Sequence, residues 1–292
     1  MSRRLLVIFV TYMLALASMM VDARDFVVVI DAGHGGKDAG TCGRRLKEKD
    51  VTLDIAKRLG RMVAKLSDVK VVYTRQQDKF VSLQGRADIA NNAQGDLFIS
   101  IHVNSVKETS PGREKVKGVA VYTMGPDKSR QALEVAMREN SVMELEPDYT
   151  TRYRGFDPNS AESYISMEMS SNVNMKQSID LARIIQSNLK EYTGRYDKGC
   201  HQAGFWVLWS PNMPSVLVEI EFMCNPDSEK WLSTDEAREK SAMALFASIK
   251  QYLATHHGAK TSVTVSSDKV ASSYKATTKN KGRARRSDRK AK

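Results

Sequence analysis

The chain has 292 residues, 41% of them hydrophobic, with a mean hydropathy of -0.41 and a formal net charge of +11. That length and apolar content support a real core and exclude disorder throughout, while three cysteines are too few for a disulfide scaffold. Residues 258–292 carry eleven Lys or Arg against two Asp and residues 1–23 add +1, so residues 24–257 are nearly neutral and broad nucleic-acid binding is not indicated.

In chain order, Arg3 and Arg4 precede an apolar stretch over 5–20 that ends near Ala23. The run falls short of the roughly 20 residues a membrane span prefers. Residues 1–23 therefore read as an export signal cleaved after Ala23, with Ala17 the alternative, which places the mature chain outside the cytoplasm. A β-branched run over 26–31 predicts a buried strand ending in the glycine-rich loop 32–36. Val51, Ile55, Leu59, Met62 and Val63 predict a helix over 48–66. Strand 69–74, helix 83–93, strand 97–102, strand 118–123 and helix 128–140 follow. Beyond them come helix 179–189, strands 205–209 and 216–222, and helix 237–253. This alternation predicts an α/β fold, a single layered domain over 24–257 with a central, mostly parallel or mixed sheet flanked by helices. Residues 141–176 lack a clean period, and the Ser-, Lys- and Arg-rich tail 258–292 is expected to be disordered. Cys42, Cys200 and Cys224 form an odd set that permits at most one intramolecular pair.

Sites in α/β folds gather at strand ends. His34 follows the first strand, His102 ends the 97–102 strand, and Glu48 opens the intervening helix. Two imidazoles and a carboxylate suit Zn²⁺ with a fourth position open to water. A further carboxylate must move protons, and the apolar strand 216–222 offers two, Glu219 and Glu221. Blander readings exist for each feature: a phosphate loop without the usual glycine spacing, a helix-dipole carboxylate at Glu48, and salt-bridged strand glutamates.

The ordered motifs carry more than any one of them. They are Ile30-Asp-Ala-Gly-His-Gly-Gly-Lys-Asp38, Glu48, Thr74-Arg75, Arg86, Phe98-Ile-Ser-Ile-His-Val-Asn-Ser105, and Met213-Pro-Ser-Val-Leu-Val-Glu219 with Phe222 and Asn225-Pro226. With these the chain resembles the zinc-dependent N-acetylmuramoyl-L-alanine amidases of bacterial cell-wall remodelling. The resemblance implies that His34, Glu48 and His102 hold one zinc. It implies that a late-strand Glu activates water against the amide joining the muramic acid lactyl group to L-alanine, with Asp31 and Asn104 supporting the site or facing the substrate. Glu221 stands where relatives carry a small residue. Residues i and i+2 of a strand share a face, so both glutamates are candidates; the register of Phe222 and Asn225 favours Glu219. Some relatives have an inhibitory helix over the zinc. By that resemblance residues 141–176 form a candidate regulatory insert, released by an activator protein, with Glu144, Glu146, Glu162 and Glu168 available to the metal. Peptidoglycan is the expected partner, the basic tail is expected to meet anionic wall polymer or membrane surface, and no nucleic acid is expected. A zinc peptidase acting within stem peptides and a non-catalytic wall-binding protein are the alternatives.

Overall fold

The computed structural model describes residues 24–126, 129–168 and 173–256; the expected signal and basic tail lie outside them. Its strands are β1 (Phe26–Ala32), β2 (Val69–Tyr73), β3 (Leu97–Asn104), β4 (Val119–Thr123), β5 (Asp197–Gln202) and β6 (Ser215–Phe222). They form one mixed sheet in the order β2-β1-β3-β6-β4-β5, parallel throughout except where β4 meets β6. The helices are α1 (Glu48–Val63), α2 (Leu83–Asn92), α3 (Arg130–Asn140), α4 (Tyr149–Arg152), α5 (Ala161–Glu168), α6 (Met175–Thr193), α7 (Trp206–Trp209), α8 (Pro226–Leu232) and α9 (Asp235–His256).

The period-2 alternation of the central strands divides the core into two layers. Val28, Ile30, Ile99, Ile101, Val218 and Ile220 pack under α1, α6 and α9. In α1 the stripe Val51, Ile55, Leu59 and Val63 is fully buried there, each side chain contributing about 1.5–3 kcal/mol. Leu59→Ala alone would cost about 2–5 kcal/mol. On the other face Val27, Val29, Phe98 and Leu217 pack under α2, α3 and α7.

On that second face the alternation changes character toward the C-terminal ends of the strands. Val27 and Val29 give way to Asp31, Phe98 gives way to Ser100 and His102, and Leu217 gives way to Glu219. Register sets Asp31 beside Ser100 and His102 beside Glu219. The polar positions therefore lie together across three neighbouring strands.

Two expectations differ from the fold. Residues 205–209 were expected as a strand, but 206–209 form the single-turn helix α7, whose Trp206 stacks edge-on against Tyr153. The sixth strand is instead β5, whose half-buried, polar sequence gave no strand period. Residues 141–176 contain a 3₁₀ turn (Ser141–Leu145) and the short helices α4 and α5.

Candidate metal centre

The loop after β1 is held open by two buried arginines. Arg86 bonds Asp31 Oδ1 at 2.6 Å and donates to the His34 carbonyl at 2.7 Å; Arg75 donates to the carbonyls of Ala32 at 2.9 Å and Gly33 at 2.8 Å. Ser100 Oγ donates to the other oxygen of Asp31 at 2.6 Å. This clamp keeps His34 at φ 62°, in the left-handed region, a conformation that costs about 1–3 kcal/mol for a non-glycine residue. Gly40, also at positive φ, lets the loop close: a Cβ there would come within 2.6 Å of both Glu48 Oε2 and the His34 ring.

Four side chains meet beneath the loop. His34 Nδ1 lies 2.8 Å from Asp38 Oδ2, which orients the ring with Nε2 directed inward. Glu48 opens α1, where its Oε2 accepts from Thr41 N–H and its Oε1 from Val103 N–H, both at 2.8 Å. His102 lies in the polar run of β3 between Ser100 and Asn104, and its ring crosses that of His34 at 76°. The fourth group is Glu139, from the last turn of α3. His34 Nε2 is 3.1 Å from Glu48 Oε1 and 3.2 Å from Glu139 Oε2; His102 Nδ1 is 3.2 Å and 3.1 Å from the same two oxygens. All four donor atoms lie within 4.8 Å of one another.

These donors suit a metal ion better than they suit each other. His34 Nε2 and Glu139 Oε2 are buried and close, yet neither has a hydrogen-bond partner. Tetrahedral zinc with bonds of about 2.0–2.1 Å needs donor separations of about 3.3 Å; the four His–Glu contacts approximate that, while the whole set lies within 4.8 Å. Charge agrees as well. Burial opposes the charged imidazoles, but Glu48, Asp38 and Glu139 hold His34 well above the ordinary histidine range, and Glu139 and Glu48 hold His102 up to about 9. Against its own burial, Glu48 is held down to about 2 by the imidazoles. Two imidazolium protons thus balance the surrounding carboxylates, and a divalent cation supplies the same charge.

Glu219 sits beside this group. Its Oε1 accepts from Arg138 at 3.3 Å, while its Oε2 is buried without a partner. Burial and the negative charge of Glu139 push it up to about 8. Arg138 also donates to Glu139 Oε1 at 2.8 Å and to the Ser105 carbonyl. Glu221 faces elsewhere. Between the pairs His102–Glu219 and Asn104–Phe222 the ladder slips by one residue, so the i, i+2 rule fails and Phe222 takes the place opposite Asn104. Glu221 instead accepts from Gly118 N–H, Ser228 Oγ and Arg195 Nε. Asp31 lies below the loop as the anchor of Arg86. Asn104 lines the cleft of about 1050 Å³ in front of the site, together with Tyr122, Arg138, Lys198 and Phe222.

Three of the four insert carboxylates named from the sequence, Glu144, Glu146 and Glu162, do not join the cluster. Glu144 bonds Asn159, Glu146 bonds Tyr153 and Arg152, and Glu162 bonds Ser160; the side chain of Glu168 lies outside the described residues. Sequence reasoning missed Glu139, although a signal existed. Ala132, Val135, Ala136, Glu139 and Asn140 form the buried stripe of α3, so an acid occupies a core position of an amphipathic helix. Among the described residues no helix is long and apolar enough to cross a membrane.

The profile of a family described as N-acetylmuramoyl-L-alanine amidase matches residues 28–251. The chain is 32% identical over 235 residues to N-acetylmuramoyl-L-alanine amidase AmiC of Escherichia coli O6:H1, covering 79% of this chain and 54% of that one. It is 33% identical to AmiA of Escherichia coli K12 over 227 residues, covering 77% and 75%. It thus spans about half the length of the first relative and three quarters of the second. The crystal structure of an N-acetylmuramoyl-L-alanine amidase from Clostridium difficile 630 superposes with a TM-score of 0.59 at 26% identity, covering 80% of this chain and 99% of that one.

Proposed function

The chain belongs to the N-acetylmuramoyl-L-alanine amidase family, and from that premise we propose that it is a zinc-dependent hydrolase of the amide between N-acetylmuramic acid and L-alanine in peptidoglycan. Its role is cell-wall remodelling or daughter-cell separation, and residues 1–23 export it to the periplasm or cell wall. The observation that carries this reading is the convergence of His34 Nε2, Glu48 Oε1, His102 Nδ1 and Glu139 Oε2, two of them buried and unpartnered.

His34, Glu48 and His102 would hold the zinc. When bound, the ion supplies Lewis acidity toward the amide carbonyl and makes water more acidic near neutral pH. Glu219 is the proton carrier. It takes a proton from the water that adds to the carbonyl carbon, and returns it to the alanine nitrogen as the C–N bond breaks. A group raised to about 8 by burial and Glu139 moves toward the general acid–base range as Glu139 withdraws. Asp31, through Arg86, fixes the His34 loop, and Asn104 faces the substrate.

The described conformation is then a closed one. Glu139 occupies the position that substrate and water need, while Arg138 ties down Glu219 from the same turn of α3. The C-terminal end of α3 must move before turnover. Residues 141–176, which follow it directly, are the handle by which an activator protein would move it. The basic tail adds attraction to anionic wall polymer or membrane surface.

Metal analysis and turnover test the assignment together. The purified chain should bind about one zinc through its three ligands, and His34→Ala and His102→Ala should each lose most of it. Glu219→Gln should keep zinc and lose turnover, and Glu221→Gln should retain turnover. Wild-type zinc content in both histidine variants would sink the metal assignment, and a dead Glu221→Gln beside an active Glu219→Gln would move the proton carrier to Glu221.

A further inference from the structure

We propose that Lys198 seats a free carboxylate of the stem peptide, on the residue next beyond the alanine, and so selects stems that carry an acid there. The proposal rests on the amidase reading above and adds a specificity-determining residue to it.

The position of Lys198 follows from a bulge. Val119 pairs with Asp197 and Val121 with Cys200, so β5 has one residue more than β4 over this stretch, at Lys198–Gly199. Gly199 has φ 88°, which suits such an irregularity. Bulges beside active sites re-aim side chains, and this one directs Lys198 across Gly118, where a Cβ would lie 3.0 Å from the Lys198 Cγ. Nζ ends 5.3 Å from the centroid of the Phe222 ring. Phe222 reaches the cleft because of the separate ladder slip opposite Asn104. Two irregularities on different strands thus bring a cation and its aromatic seat to one wall of the cleft that holds His34, Glu48 and Glu139.

The other cations of the cleft are differently placed. Arg138 is shared among Glu139, Glu219 and the Ser105 carbonyl. Arg113 pairs with Glu108 at 3.7 Å, and Lys107 is exposed. Lys198 is seated on Phe222, and the carboxylate of its chain neighbour Asp197 faces Lys190 instead. Cation–π contact with Phe222 contributes about 0.5–1 kcal/mol toward holding it, leaving its ammonium donors for a ligand anion.

Spacing agrees with the assignment. Ala120, the β4 residue opposite the bulge, pairs with Glu219, so the Lys198 backbone stands two strand spacings, about 10 Å, from that of Glu219. A peptide advances about 3.3–3.6 Å per residue. A carboxylate on the residue after alanine therefore falls within reach of a lysine whose own chain closes most of the gap.

The test uses the full, zinc-loaded chain and two synthetic muramoyl peptides. They differ only in whether the residue after alanine carries a free carboxylate or its carboxamide. Wild type should prefer the acid by about tenfold or more in kcat/KM, as expected when a polar group of the site loses its partner. Lys198→Met should abolish that preference through KM with kcat nearly unchanged, and Lys198→Arg should restore most of it. An acid-to-amide ratio in Lys198→Met equal to that of wild type overturns the proposal alone. Failure of both the wild type and the Glu139→Ala chain to cleave either peptide removes the amidase reading, and this proposal with it.

Discussion

Replacing Glu139 with alanine should activate the enzyme rather than cripple it. Glu139 Oε2 lies 3.2 Å from His34 Nε2 and 3.1 Å from His102 Nδ1, and its other oxygen receives Arg138 at 2.8 Å. Alanine removes one carboxylate from the metal's surroundings but leaves His34, Glu48 and His102 to hold the ion. A charge-assisted contact of this kind is worth about 1.5–3 kcal/mol. Withdrawing about 3 kcal/mol from the closed state shifts the open population by about 100-fold, with a ceiling where the open form dominates. Arg138 loses its stronger partner at the same time, but its side chain is 31% exposed and water can take up the guanidinium. Arg138→Ala, which frees Glu219 while leaving Glu139 in place, should activate less. The assay is the initial rate of dye release from labelled peptidoglycan, divided by bound zinc. A folded Glu139→Ala chain that retains zinc and hydrolyses no faster than wild type would refute the closed-state argument.

Two further outcomes follow from the charges beneath the site. Asp31→Asn leaves the buried Arg86 short of its anion and should lower stability by about 3 kcal/mol at neutral pH, read from urea unfolding. Against its burial, Arg86, Ser100 and Thr74 keep the Asp31 carboxyl below the usual aspartate range. Its contribution is therefore complete above an unfolded pKa of about 3.9 and disappears as pH falls through the lower folded value, so the two unfolding curves should converge in strong acid. Zinc uptake should release protons, because His102 is held up to about 9 and His34 well above its ordinary range in the metal-free chain. Affinity should accordingly rise with pH from 6 to about 9, and a pH-stat titration that records no proton release on zinc addition would contradict that charge balance.

Much of the site was legible in the sequence because its donors sit where strands end. His34 follows one buried strand, His102 lies near the C-terminal end of its neighbour, and Glu48 opens the helix after the first, so topology alone brings them together. Glu139 was less legible because its helix runs straight into residues 141–176, which carry several carboxylates of their own and no clean period. Its place in the α3 stripe was nonetheless readable from helical spacing. The separation of Glu219 from Glu221 was not, since strand alternation puts both on one face and only the ladder slip near His102 divides them. Residues 205–209 misled for another reason. A short aromatic run fits a buried strand or a single buried helical turn equally well, and packing against Tyr153 and Phe156 decides between them. Edge strand β5 escaped because it buries little and has Gly199 in its middle, so it shows no apolar period.

The reaction itself is tested most directly by mass spectrometry of purified peptidoglycan after digestion with the zinc-loaded chain. Cleavage at the muramoyl amide releases intact stem peptides whose free N-terminus is L-alanine, and leaves glycan strands bearing unsubstituted lactyl carboxylates; these are the products expected. Fragments cut within the stem, with alanine still attached to muramic acid, would contradict the amidase assignment and identify a stem peptidase in its place.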